Sequence, residues 1–229
     1  MKSIGLIGGM SWESTVMYYQ VINREVGRRL GGLRSAPLAM LSVDFEEIAS
    51  RQKQGDWEGM AAMLSAAARS LVRAGADCVL IGTNTMHKVA PEVQASVDVP
   101  LLHIADVTAD AIVKAGCRTV GLMGTRFTME QGFYVERLNS KGVECVIPDE
   151  AQRAEIHRII FDELCRGIFK DSSRAALKVI VADLAARGAQ GVVLGCTELP
   201  LILSADDVEI PVFDTTTLHA LAAVEFALN

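Results

Sequence analysis

The chain has 229 residues, of which 50% are hydrophobic and 22% are charged, so a packed globular core is expected. The net charge of −6 and the absence of a lysine or arginine run argue against a nucleic-acid partner. No stretch of about 18 apolar residues occurs, so no membrane partner is expected, and the short apolar run near Met1 is interpreted as a buried strand rather than a signal peptide.

Short apolar runs alternate with longer amphipathic segments along the whole chain. The apolar runs predict eight strands: Ser3–Ile7, Leu38–Val43, Cys78–Gly82, Val99–Ile104, Thr119–Gly124, Glu144–Ile147, Gly191–Gly195 and Pro211–Asp214. The longer segments predict helices, among them Glu13–Leu30, Trp57–Ala74, Ala105–Ala115, Glu150–Arg166 and Ser172–Ala186. Near-continuous apolar strands that alternate with helices are typical of an α/β fold with parallel sheets covered on both faces.

The sequence also contains an internal duplication. Three pairs of segments match in the same order: Ile4–Gly8 with Val120–Gly124, Cys78–Thr83 with Gly191–Cys196, and Val99–His103 with Ile210–Asp214. We therefore predict two pseudo-symmetric Rossmann-like lobes, each with a mostly parallel four-stranded sheet. The first lobe is expected to comprise residues 1–97 plus 210–229 and the second residues 98–209, so that the last strand and helix return to the first lobe.

Small and polar residues follow four of the predicted strands. These segments are Gly8–Ser11, Gly82–Thr85, Gly124–Arg126 and Gly195–Glu198. Ligands in open α/β sheets bind beyond the carboxyl ends of the strands, where backbone N–H groups and helix N-termini favour an anion such as a carboxylate. The first segment does not have the G-x-G-x-x-G spacing of a dinucleotide loop, which argues against a nucleotide-dependent oxidoreductase.

Cys196 is the candidate reactive thiol. The chain has five cysteines, an odd number without C-x-x-C spacing, which favours reduced thiols in a cytoplasm over disulfides or a metal site. Four of them are interpreted as small core hydrophobes. Cys196 instead follows a strand, where a helix N-terminus and nearby donors are expected to lower its pKa from about 8.5. Thr83 holds the matching position in the other half.

This pairing predicts a reaction at a carbon centre. Inversion without a cofactor needs one group to remove a proton from one face and another to return a proton to the opposite face. The carbanion that forms spreads onto the substrate carboxylate, so fixed hydrogen-bond donors are needed there. Asn84, Thr85 and Thr197 follow the two strands and are suitably placed.

Three motifs resemble the aspartate/glutamate racemase family: GLIGGMSWEST near the start, GTNTMH at 82–87 and GCTELPLIL at 195–203. The resemblance covers essentially the whole chain. It implies a pseudo-symmetric two-domain fold, no pyridoxal phosphate or other cofactor, no metal, and a homodimer. By this resemblance Cys196 is the second catalytic cysteine, and Asn84, Thr85 and Thr197 bind substrate.

Position 83 departs from the family pattern, because Thr83 stands where the family has its first catalytic cysteine. A threonine hydroxyl is a poor base near neutral pH, although it can donate or relay a proton. The resemblance assigns the second cysteine to the L substrate. We therefore expect cofactor-independent racemisation of aspartate or glutamate that favours the L enantiomer.

An acidic substrate also needs a partner for its side-chain carboxylate. Arg51 and Arg166 are the candidates, since arginine suits bidentate carboxylate binding, and Gln52 is a neutral partner. Met10 and Thr125 are expected to line the site. Glu198 either orients and reprotonates the thiol or caps a helix, and His87 has a capping or core role.

Two other function classes stay open at this point. A single-cysteine decarboxylase or isomerase of a small dicarboxylate would use the same amides with Cys196 as its only proton donor. A non-catalytic binding protein would have lost its first site at Thr83, but the intact Cys196-Thr197-Glu198 segment argues against this.

Overall fold

The computed structural model describes all 229 residues, which form two compact units. The first comprises Met1–His103 with His219–Asn229, and the second comprises Ile104–Leu218. None of the helices combines the length and the hydropathy needed to cross a membrane.

The first unit is a parallel three-stranded sheet with helices on both faces. Its elements are β1 (Ile4–Gly8), α1 (Trp12–Leu30), β2 (Leu38–Ser42), α2 (Phe45–Gln54), α3 (Trp57–Arg73), β3 (Cys78–Ile81), a 3₁₀ turn (Thr85–Val89) and α4 (Ala90–Ala95). The strand order is β2-β1-β3. Alternate strand residues point to opposite faces, so Ile4 and Leu6 belong to one core cluster while Ile7 belongs to another.

The second unit repeats this plan with four parallel strands in the order β5-β4-β6-β7. Its helices and strands are α5 (Ile104–Lys114), β4 (Thr119–Gly124), α6 (Arg126–Glu130), α7 (Gly132–Ser140), β5 (Glu144–Val146), α8 (Glu150–Arg158), α9 (Asp171–Ala186), β6 (Val192–Gly195), β7 (Val212–Asp214) and α10 (Thr215–Leu228). The unit boundary falls within α10. The predicted α/β fold class with parallel sheets is confirmed.

The bounds of the units differ from the expected ones. The segment at Val99–Ile104 was expected to begin the second lobe as a strand, yet it makes only a bridge from Leu101 to Val79 in the first unit. In turn, β7 pairs with β6 of the second sheet instead of returning to the first lobe. Each duplicated segment therefore stays with its own half. Pro100 cannot donate a ladder hydrogen bond and Ile104 already begins α5, which leaves no room for a fourth full strand.

Two other departures are local. The polar stretch after Val43 forms α2, which Asp44 caps by accepting from the Glu46 N–H at 3.1 Å. The helix predicted over Glu150–Arg166 is α-helical only to Arg158. It continues as a π turn over Ile159–Glu163 and a 3₁₀ turn over Leu164–Arg166.

The duplicated glycines of the central strands have a packing role. A Cβ on Gly5 would lie 2.8 Å from Ala76 Cβ and 2.9 Å from the Cys78 carbonyl oxygen. A Cβ on Gly121, the matching residue of β4, would lie 2.8 Å from Leu184 Cδ1 of α9. In both halves, glycine therefore lets neighbouring segments of the same chain approach the central strand closely.

Gly5→Ala should destabilise the protein by about 1–3 kcal/mol, because the added methyl group overpacks a site bounded partly by backbone. Gly27→Ala in α1 is the matched control, since its nearest neighbour lies 3.6 Å away and alanine favours a helix by up to about 1 kcal/mol. Urea unfolding of both variants gives the free energies. A Gly5→Ala protein as stable as wild type would contradict this packing role.

Candidate active site

The end of β3 carries the first group of candidate residues. Thr83 lies in a tight turn, where its N–H donates to the Ile81 carbonyl oxygen at 2.8 Å. Asn84 and Thr85 follow, both buried, and Thr85 begins the 3₁₀ turn. All three residues lie beyond the carboxyl end of β3, as the sequence predicted.

The end of β1 is held by its own hydrogen bonds. The Gly9 N–H donates to Thr15 Oγ1 at 2.8 Å, and this hydroxyl donates to the Ser11 carbonyl oxygen at 2.8 Å. Gly9 has φ of +90°, and a Cβ there would collide with the Val43 carbonyl oxygen. The Gly9 N–H is therefore committed to the loop and is not a donor for a bound anion. Met10 beside it is buried.

The end of β6 carries the second group. The Cys196 thiol donates to Glu198 Oε2 at 3.0 Å, and Thr197 Oγ1 donates to the same oxygen at 3.1 Å. All three side chains are buried, with exposures of 6%, 1% and 2% for Cys196, Thr197 and Glu198. The Glu198 side chain does not cap the 3₁₀ turn that follows. Of the two roles expected for it, capping a helix or contacting the thiol, only the contact to the thiol is present.

The expected lowering of the Cys196 pKa is wrong. Burial raises the pKa of this thiol well above its ordinary value, and the Glu198 charge raises it further. The element after the strand is not the helix N-terminus expected from the sequence but a three-residue 3₁₀ turn over Leu199–Leu201. The thiol is consequently held protonated, with a carboxylate as its hydrogen-bond acceptor.

Thr125 follows β4, and its side chain has a structural partner. Its hydroxyl caps α6 by accepting from the Thr128 N–H at 3.3 Å. The side chain is buried, with 6% exposure. Capping fixes the start of the helix at this strand end.

The three candidates for the substrate side-chain carboxylate have different surroundings. Arg51 on α2 is paired with Glu47 at 3.0 Å and Asp56 at 2.5 Å. Gln52 is buried and donates to Met86 Sδ at 3.4 Å, which turns it towards the 3₁₀ turn after Thr83. Arg166 is exposed in the 3₁₀ turn that ends the α8 segment.

From the sequence, His87 has either a capping role or a core role. Its Nδ1 lies 2.7 Å from the Thr83 carbonyl oxygen, so it contacts the candidate residue directly. The sequence signal for this contact is the four-residue spacing between Thr83 and His87. It could not be used, because the sequence does not predict the 3₁₀ turn between them. The structure contains no group of three or more His, Cys, Asp or Glu placed to hold a metal ion.

Comparison with known proteins shows which proteins this chain resembles. A sequence model described as Asp/Glu/Hydantoin racemase matches residues 7–223. A candidate Asp/Glu racemase from Yersinia pestis has a crystal structure with a TM-score of 0.92 and 52% identity, covering 100% of both chains. An aspartate racemase homologue from Pyrococcus horikoshii OT3 gives a TM-score of 0.86 and 38% identity, also over 100% of both chains. The broad specificity amino-acid racemase RacX of Bacillus subtilis is 25% identical over 154 residues, which is 67% of this chain and 66% of that protein.

Two α/β units, each with a parallel sheet and polar strand ends, together with these matches define an amino-acid racemase of the aspartate/glutamate type. The chain belongs to the Asp/Glu/Hydantoin racemase family. The resemblance carried by the three motifs is thereby confirmed. Membership also favours racemisation over the decarboxylase or dicarboxylate isomerase that the sequence left open.

Glu198→Gln should lower the pKa of the Cys196 thiol, because it removes a carboxylate charge that favours the protonated form. The ultraviolet absorbance of the thiolate, followed as the pH rises and corrected with the Cys196→Ala version of each protein, gives the midpoint. Glu209→Gln is the control, since this carboxylate is exposed in the same unit. A midpoint in Glu198→Gln equal to or above that of wild type would contradict the assignment.

Proposed function

We propose that the protein racemises an acidic amino acid, aspartate or glutamate, without a cofactor, by exchanging the α-proton between two faces of the α-carbon. The observation that supports this most strongly is the buried pair of Cys196 and Glu198 at the end of β6. A thiol beside a carboxylate has an acceptor for its proton and can therefore both give and take a proton. The names of the similar racemases support an acidic substrate.

The proposed cycle with the L enantiomer begins at the thiol. Cys196 transfers its proton to Glu198, so that the S–H bond breaks and a carboxylic O–H bond forms. The thiolate takes the α-proton and re-forms S–H, while the electron pair of the C–H bond spreads onto the substrate carboxylate. Thr83 then donates its hydroxyl proton to the opposite face. Solvent restores the Thr83 proton and receives the proton held by Glu198.

The proposed preference for the L enantiomer follows from the two different groups. With the D enantiomer, Thr83 would have to remove the α-proton, and a hydroxyl ionises much less readily than a thiol. The overall equilibrium of a racemisation is fixed by the substrate and not by the enzyme. The preference should therefore appear in α-proton exchange that precedes inversion.

In this proposal the α-carboxylate is bound by Asn84, Thr85 and Thr197, with Met10 and Thr125 lining the site. Arg51, Gln52 and Arg166 are the candidates for the side-chain carboxylate. Arg51 would exchange one of its two carboxylate partners for the substrate, which keeps its charge paired. Gln52 offers a neutral donor beside the first group of residues.

The homodimer and the cytoplasmic location stay predictions. An exposed apolar row on the first unit supports the dimer: Trp12, Val16 and Tyr19 recur along α1, and Met40 lies on the edge strand β2. Apolar rows of this kind are commonly buried between copies of a chain.

Cys196→Ala and Cys196→Ser should lose nearly all turnover, by about a thousandfold or more, because no other thiol ends a strand beside the proposed substrate donors. The measurement is α-proton exchange and chirality of L-aspartate and L-glutamate in D₂O. Cys117→Ala and Cys145→Ala are the controls, and both should keep full activity. Cys145 is only partly buried and packs against the core, and burial raises the pKa of its thiol to about 12, which suits an unreactive thiol. Full activity of Cys196→Ala would contradict the proposal.

Thr83→Cys should speed α-proton exchange from the D substrate, because a thiol replaces the less acidic hydroxyl. In wild type, deuterium should enter recovered L substrate rapidly and recovered D substrate slowly. Thr83→Ser is the matched control, because it changes the side chain at the same position but keeps a hydroxyl, and it should not speed exchange from the D substrate. Wild-type protein that exchanges both enantiomers equally without inversion would contradict the role of Thr83.

A further inference from the structure

Three of the four histidines of the chain lie together in the first unit, next to Thr83. His87, His103 and His219 are buried, with exposures of 2%, 8% and 0%. The ring centroids of His87 and His103 are 4.5 Å apart, and those of His87 and His219 are 5.7 Å apart. They come from distant parts of the sequence, so the fold itself assembles this histidine cluster.

Hydrogen bonds to carbonyl oxygens assign a proton to a particular nitrogen in two of these rings. The Thr83 carbonyl oxygen, 2.7 Å from His87 Nδ1, can only accept, so His87 Nδ1 carries a hydrogen. The same reasoning places a hydrogen on His219 Nε2, which lies 2.7 Å from the Leu102 carbonyl oxygen. Burial lowers the pKa of His219 to about 4, so this ring is neutral near pH 7 and its Nδ1 accepts from Tyr18 Oη at 2.9 Å.

The backbone of Thr83 is consequently held on both sides. Its N–H donates to the Ile81 carbonyl oxygen at 2.8 Å, which ties it to the end of β3. Its carbonyl oxygen accepts from His87 one turn later. The backbone N–H of His87 donates to the Asn84 carbonyl oxygen at 3.1 Å, so the residue that carries the ring is itself held in the turn. With both peptide groups fixed, the Cα–Cβ bond of Thr83 has a fixed direction, which limits its hydroxyl to the few positions that the side-chain rotamers allow.

We infer that His87 is a positioning residue for Thr83: its Nδ1–H holds the Thr83 carbonyl oxygen and thereby places the hydroxyl for proton delivery. This inference rests on the proposed function of Thr83. The rings of His103 and His219 pack against the His87 ring and keep it in place. Tyr18 packs edge-on against His219, with the two ring centroids 5.7 Å apart. Displacement of a reacting group by about 1 Å can cost a hundredfold in rate.

Two substitutions of His87 separate this role from a general loss of packing. His87→Asn keeps an amide nitrogen at the Nδ1 position and should retain the bond to Thr83. His87→Gln carries its amide nitrogen at the Nε2 position and should lose that bond. We expect His87→Gln to slow turnover about tenfold to a hundredfold through kcat with KM unchanged, while His87→Asn stays within about threefold of wild type.

In the proposed cycle, deuterium entry into recovered L substrate uses Cys196 and Glu198 and not Thr83, so it should be unchanged in both variants. Equal activity of His87→Gln and wild type, or equal loss in both variants, would overturn the inference. Nitrogen NMR of labelled wild-type protein provides a test that needs no variant. The Nδ1–H form of His87 is expected, and a neutral ring protonated only at Nε2 would overturn the inference. Failure of the proposed function would instead appear as wild-type protein without exchange from the L substrate.

Discussion

The burial of both faces of each parallel sheet is the constraint on which the rest of the structure depends. Helices cover every central strand, so the strand interiors are fully apolar and polar side chains can lie only where a strand ends. Thr83 and Cys196 occupy such ends in the two units. In the proposed function the chemistry therefore falls on a few residues after β3 and β6, and the strands before them serve as rigid supports.

Most of the fold could be predicted from the sequence, because its signals are local. Near-continuous apolar strands such as Thr119–Gly124 were predicted to the residue. The signals of α2 were also present, with Asp44 as cap, two acidic residues in the first turn and Gly55 at the end, but the polar composition hid them. The placement of β7 could not be predicted, because the duplication matches segments without stating which sheet each one joins.

The positions of the candidate residues at strand ends could be predicted from the sequence, whereas their electrostatics could not. Strand ends and motifs located Cys196, Glu198 and Thr83. The sign of the thiol pKa shift depends on burial and on the direction of the Glu198 carboxylate, which are tertiary properties. Arg51 illustrates the same limit, since its two carboxylate partners are visible only in the folded chain. The sequence states which residue occupies a position, whereas the charge state of that residue depends on the neighbours that the fold places around it.

The hydrogen bond from Cys196 to Glu198 has a consequence for chemical durability. Peroxides and other oxidants attack thiolates rather than thiols, and they require access to the sulfur. A thiol that is 6% exposed, and whose pKa is raised by burial and by the Glu198 charge, meets neither condition in the resting protein. The sulfur becomes vulnerable only when Glu198 has accepted its proton, which in the proposed cycle happens with substrate bound. In this proposal, the contact that prepares the sulfur for catalysis also protects it from oxidation in the resting protein.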